Sequence, residues 1–203
     1  MKDKWDNFWK SDKIIYKPIS IFKNLYFTRI KAKYIKKFIS NSSILEIGCG
    51  DGKLLRLLPK ENKIVGLDIS TFAIKKAKKN LFKKNISLII GDVFDIDFND
   101  NTFDLVVIDG LIEHCSDKIE RFIKEAYRVT NKGGYLIIVL TNIDFIRKIL
   151  FKLIYTWDKE KIIYTKDYKE EFNKILPKIS NEYKIEVIPK SLGVLMSVVV
   201  KKC

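Results

Sequence analysis

The chain has 203 residues, enough for one domain with a substantial core, and its 47% hydrophobic and 12% aromatic content is that of a globular protein. A formal net charge of +14 invites an RNA or anionic-membrane partner, but the basic residues are spread along the chain and the runs at 36–37, 75–79 and 83–84 read as solvated helix faces. No apolar run approaches the roughly 18 residues that span a bilayer, the first residues lack the apolar centre of a secretory leader, and Cys49, Cys115 and Cys203 have no metal-like spacing, so a reducing cytoplasm is expected.

In chain order, residues 1–18 are polar with interleaved Trp5, Phe8 and Trp9 and read as a loosely structured lid ending at Pro18. From Ile19 to Ile39, apolar residues at helical spacing alternate with Lys and Arg, predicting a basic amphipathic helix. Strands and helices then alternate. Strands are predicted at Ile44–Ile47, Lys63–Leu67, Ile86–Ile90, Phe103–Ile108 and Tyr135–Leu140. Between them, helices are predicted at Lys53–Leu58, stopped by Pro59, and at Thr71–Leu81, capped by Ser70 or Thr71. A third opens at the pair Asp117 and Glu120 and runs to Val129. The last quarter departs from this rhythm. It carries an apolar helix from Ile143 to Tyr155, a helix from Asp167 to Leu176 stopped by Pro177, and strands at Lys184–Ile188 and Val194–Val200. The alternation predicts an α/β, Rossmann-like, doubly wound sheet. One domain is expected, with a lid and helix at 1–39, a core at 40–142, and an acceptor cap with closing strands at 143–203.

The first strand ends in Glu46-Ile47-Gly48-Cys49-Gly50-Asp51-Gly52. Glycines there allow positive φ and let a ligand approach the backbone closely. The carboxyl end of a strand is where open α/β sheets bind ligands. The spacing Gly-x-Gly-x-Gly differs from the dinucleotide fingerprint Gly-x-Gly-x-x-Gly, and Asp51 would repel a phosphate. Glu46 puts a carboxylate where the cationic end of a sulfonium cofactor would lie. Asp68, at the end of the second strand, can accept hydrogen bonds from both hydroxyls of a ribose. Asp92, after the third strand, can accept one from an adenine amine, with Ile69 and Val93 flanking the purine.

The stretches ILEIGCGDGKLL, IVGLDIS, GDVFDIDF, FDLVVIDGLIEHCSD and FIKEAYRVTNKGGYLIIVLTN are similar to the core of the class I S-adenosylmethionine-dependent methyltransferases. The resemblance covers 40–142, about half the chain, and is to the small-molecule branch known as methyltransferase type 11 or 12. It implies a seven-stranded, mostly parallel sheet with an antiparallel last strand. It also implies S-adenosylmethionine bound by Glu46, Gly48, Gly50, Asp68 and Asp92, with Cys49 in the same loop and Asp109 lining the methionyl end. Where this family usually carries Leu-Lys-Pro-Gly-Gly, this chain has Thr130-Asn131-Lys132-Gly133-Gly134.

Methyl transfer from a sulfonium needs alignment more than a nucleophilic side chain. His114 is the only histidine and suits a general base for a hydroxyl acceptor; it also suits a helix cap or a packing residue beneath the cofactor loop. Asp109-Gly110 stands where an Asn-Pro-Pro-aromatic signature of base methylation would be, and no Pro-Cys pair follows the fourth strand. Transfer to oxygen of a small-molecule or lipid-linked acceptor is therefore expected. An RNA methyltransferase, favoured by the charge, and a non-catalytic cofactor-binding module are the competing readings. Ile143–Trp157, apolar with a basic edge, either lines an apolar acceptor pocket resting on anionic lipid or covers the end of the sheet. The oligomeric state stays open.

Overall fold

The computed structural model describes residues 2–10, 18–39, 42–81, 86–115, 118–141, 165–191 and 195–203. Its strands are β1 (Ser43–Ile47), β2 (Lys63–Asp68), β3 (Ile86–Ile90), β4 (Phe103–Asp109), β5 (Thr130–Thr141), β6 (Tyr183–Val187) and β7 (Leu195–Lys201). Its helices are α1 (Lys2–Lys10), α2 (Pro18–Ile35), α3 (Thr71–Asn80), α4 (Ile119–Val129) and α5 (Thr165–Ile175). The seven strands form one sheet in the order β3-β2-β1-β4-β5-β7-β6. β1 pairs in parallel with β2 and β4, whereas β7 is antiparallel to both β5 and β6. The fold class expected from the sequence is the one observed.

Side-chain alternation along each strand divides the core in two. Leu45 and Ile47 of β1, with Val106 and Ile108 of β4, face α4 and α5 and share a cluster with Phe122, Ile123, Tyr168 and Phe172. Ile44 of β1, with Leu105 and Val107 of β4, faces the opposite layer and packs with Ala32, Tyr34 and Ile35 of α2 and Ile74 of α3. Helix α4 buries Ile119, Phe122, Ile123, Ala126 and Val129, a stripe at helical spacing. Arg128 at its far end holds the loop before β4, donating to the Ile96 and Phe98 carbonyls and pairing with Glu125 and Asp100.

Three local expectations change. Lys53–Leu58 is not an α-helix but a set of turns with a single 3-10 turn at Leu55–Leu57. Six residues before Pro59 are too few to offset the cost of helix nucleation. The expected loose lid contains a regular helix, α1, supported by the i,i+4 ion pair of Lys2 and Asp6 at 2.9 Å. β5 begins at Thr130 rather than Tyr135, because Thr130 pairs with Phe103 before a register shift takes up the glycine-containing turn. β6 and β7 lie within one residue of their expected limits. Ser70 does cap α3, accepting from the Ala73 N–H at 3.3 Å. Asp117, Val194 and the expected helix at Ile143–Tyr155 lie outside the described residues.

Candidate active site

The strand order reverses direction on either side of β1, with β2 to one side and β4 to the other, which opens a crevice at their carboxyl ends. Three acids meet there by the strand period. Glu46 shares the α2-facing side of β1 with Ile44. Asp109 shares that side of β4 with Leu105 and Val107, and Asp68 that of β2 with Ile64. The loop after β1 is fixed by its neighbours. The Gly48 and Cys49 N–H groups donate to the Leu67 carbonyl at 2.7 and 3.0 Å. The Gly50 N–H donates to Asp68 Oδ2 and the Ser70 N–H to Asp68 Oδ1, each at 2.9 Å. Gly48 and Gly50 have φ of 74° and 53°. The left-handed backbone favours glycine at both, and a Cβ on Gly48 would lie 2.7 Å from Leu111 Cδ2 and one on Gly50 2.8 Å from Trp9 Cζ2, so those side chains would have to shift.

A cavity of about 290 Å³ opens over this loop. Gly48, Gly50, Asp68 and Ile69 form one wall, and Val93, Asp109 and His114 line it with Gly110 and Leu111. Trp5, Phe8 and Trp9 of α1 cover it. The remaining residues expected at the site take other positions. Glu46 is buried beneath the loop, and among the described residues its Oε2 has no hydrogen-bond partner. The Cys49 side chain turns into the α2-side core, so only its backbone belongs to the loop. Asp92 is exposed and its Oδ1 accepts from the Phe94 N–H at 3.0 Å, holding the turn that presents Val93.

Burial, reinforced by the Asp109 charge, pushes the Glu46 carboxyl well above the usual range, and Lys31 opposes the shift. Burial also raises Asp68, against the backbone N–H groups it accepts from, and pushes the Cys49 thiol far up. Lys31 of α2 lies 2.7 Å from Asp109 Oδ1, both side chains largely enclosed. The sequence reading places Lys31 on a solvated helix face, and nothing in its local spacing separates it from Arg29 or Lys33. Asp51, expected to repel a phosphate, is paired with Lys53 at 2.8 Å. The chain after the loop forms turns and a 3-10 turn rather than an α-helix, so no α-helix N-terminus offers a phosphate seat there.

Polar contacts hold α1 over the cavity. Asp6 accepts from Ser70 Oγ at 2.7 Å and Thr71 Oγ1 at 3.2 Å, and Lys76 Nζ donates to the Trp9 carbonyl at 2.7 Å. Lys2 and Ser70 together hold the Asp6 carboxyl well below the usual range. The Trp5 ring meets His114 edge-on at 4.9 Å between centroids. A larger open groove, about 700 Å³, runs along α4 beside Phe94, Glu120, Arg121 and Arg128, and none of the expected cofactor residues lines it. Among the described residues no cluster could hold a metal ion, and no helix is long and apolar enough to cross a membrane.

These features fit a cationic nucleoside cofactor without phosphate: an unpartnered carboxylate oxygen under the loop, a glycine cradle and two further acids at the rim. The family described as methyltransferase domain matches residues 45–138. An uncharacterised protein of Methanocaldococcus jannaschii is 30% identical over 166 residues, covering 81% of this chain and 69% of its own. The demethylmenaquinone methyltransferase of Symbiobacterium thermophilum is 30% identical over 128 residues, covering 59% and 51%. A crystal structure of a protein from Methanococcus maripaludis, described as an S-adenosylmethionine-dependent methyltransferase, shares the fold with a TM-score of 0.70 at 24% identity, over 99% of this chain and 91% of that one. The chain spans about half the length of several curated relatives it matches. It belongs to the class I S-adenosylmethionine-dependent methyltransferases.

Proposed function

We propose that this chain transfers the methyl group of S-adenosylmethionine to oxygen of a small-molecule or lipid-linked acceptor. The observation that carries the reading is the convergence of Gly48, Gly50, Asp68, Ile69, Val93, Asp109 and the single histidine on one cavity under an aromatic helix. When bound, the cofactor supplies an electrophilic methyl group on a cationic sulfur. Asp68 serves the ribose, Ile69 and Val93 the faces of the purine, and Asp92 its amine. The Gly48-Cys49-Gly50 backbone cradles the cofactor, and Glu46 and Asp109 serve its amino-acid end. His114 accepts the proton of a hydroxyl acceptor as the bond to carbon forms. Trp5, Phe8 and Trp9 exclude water, which strengthens each of these electrostatic contacts.

In this reading residues 1–39 form the cover and supporting helix, 40–142 the cofactor core, and 143–203 the acceptor cap and closing strands of a single domain. The demethylmenaquinone methyltransferase among the relatives supports a small, lipid-like acceptor. Three cysteines free of disulfides support a reducing, cytoplasmic setting. The test is to incubate cell extract with the protein and cofactor carrying a labelled methyl group, then identify the labelled product. A methylated oxygen in a small molecule or lipid is the expected result. Label in RNA would replace this acceptor with the competing one, and measured cofactor binding without labelled product would leave only a binding module.

A further inference from the structure

We infer that Lys31 recognises the carboxylate at the amino-acid end of the cofactor, exchanging its ion pair with Asp109 for one with the ligand; this rests on the cofactor site proposed above. Arg29 and Lys33 on the same helix are exposed, whereas the Lys31 side chain is 16% exposed and its ammonium sits 2.7 Å from a carboxylate that lines the cavity. Holding a lysine there costs side-chain entropy and desolvation that a solubilising residue would avoid.

The charge count explains its place. Glu46 and Asp109 occupy the same face of neighbouring strands, Lys31 is paired with Asp109 and its charge also acts on Glu46, and Glu46 Oε2 has no partner among the described residues. An amino-acid end brings one ammonium and one carboxylate. Its ammonium supplies the cation that this acid pair lacks. Its carboxylate, entering beside two acids, needs a cation of its own. Lys53 is held by Asp51 and Lys76 by the Trp9 carbonyl, whereas Lys31 becomes available once the ligand ammonium takes its place on Asp109. Lys31 is then a specificity-determining residue, selecting an intact amino-acid end over a simple amine.

Calorimetry with S-adenosylhomocysteine and its decarboxylated analogue separates this role from general cofactor binding, since both carry the nucleoside, thioether and ammonium. The unaltered protein should prefer the carboxylate-bearing compound by about tenfold or more, the worth of a charge-assisted hydrogen bond. Lys31→Met should bring the two affinities close to equal, and Lys31→Arg should keep most of the preference. The double variant Lys31→Met/Asp109→Asn, which leaves no lone charge at the pair, should also lose it. A Lys31→Met or double variant that retains the full preference overturns the assignment. Unaltered protein that binds neither compound overturns the cofactor site itself.

Discussion

Replacing Glu46 by Met should make the ligand-free protein more stable and the cofactor complex weaker. Glu46 is 4% exposed and its Oε2 lacks a partner among the described residues. A buried unsatisfied polar group costs about 1–3 kcal/mol, and an apolar side chain of similar shape removes that cost. For a domain of this size each kcal/mol moves the melting midpoint by about 2–4 °C, so the variant should melt at least about 2 °C higher. If the carboxylate serves the cationic end of the ligand, its loss forfeits a charge-assisted contact of about 1.5–3 kcal/mol, or about ten- to a hundredfold in Kd. The pH dependence has a definite sign. The folded chain holds the Glu46 proton more tightly than the unfolded chain does, chiefly through burial and then through Asp109. Stability from this group is therefore present at low pH and lost as pH rises from the ordinary glutamate value through the raised one, so the advantage of Glu46→Met should grow with pH. The ammonium at the ligand's amino-acid end favours the ionised form of Glu46. Binding of S-adenosylhomocysteine should accordingly release a proton and tighten over the same range. Scanning calorimetry gives the midpoint, and titrations in buffers of different ionisation enthalpy give the proton release, which the variant should lack. A lower midpoint together with unchanged affinity would refute the reasoning.

Asp68→Ala should weaken S-adenosylhomocysteine binding by at least about tenfold in calorimetry, since it removes the proposed ribose acceptor and also the carboxylate that two backbone N–H groups donate to. Gly50→Ala should lower stability by about 1–2 kcal/mol from the left-handed backbone alone, with a further clash against Trp9 that Gly50→Ala/Trp9→Ala relieves; denaturant titration of these two variants and of Trp9→Ala checks this. His114→Ala should slow labelled methyl transfer by about 10²–10⁴-fold while leaving cofactor affinity nearly unchanged. Equal turnover would assign the histidine to packing against Trp5. Phe122→Ala, in the core on the opposite face of the sheet, should cost about 3–5 kcal/mol in urea unfolding.

The strands β1 to β4 and β6 were legible because short apolar runs ended at Gly, Asp or Pro, and the acids at the tips of β1, β2 and β4 were legible because these strands end together at the sheet's point of reversal. Ile44 and Leu45 facing opposite layers is the period-2 rule at work. Helix α1 was less readable. Trp5, Phe8 and Trp9 have helical i,i+3,i+4 spacing, but the segment buries no side chain fully and depends on Asp6 and Lys76 contacts that only the tertiary structure creates. Lys31 was unreadable for a related reason. Its partner Asp109 is 78 residues away, and a lysine among lysines has no local mark. The missing helix after the glycine loop shows propensity giving way to length: Leu54, Leu55 and Leu58 keep their place in the core through turns alone.

The sheet order also constrains how the molecule assembles. β6 touches the sheet only through β7, which follows it in the chain and lies between it and β5. During synthesis β6 emerges with nothing to pair with and must wait for the later strand to bridge the gap. The block β3-β2-β1-β4-β5, which carries Glu46, Asp68 and Asp109, has no such dependence. The cofactor half can therefore form early, while the two closing strands join as one late cooperative step that brings together residues more than about fifty positions apart.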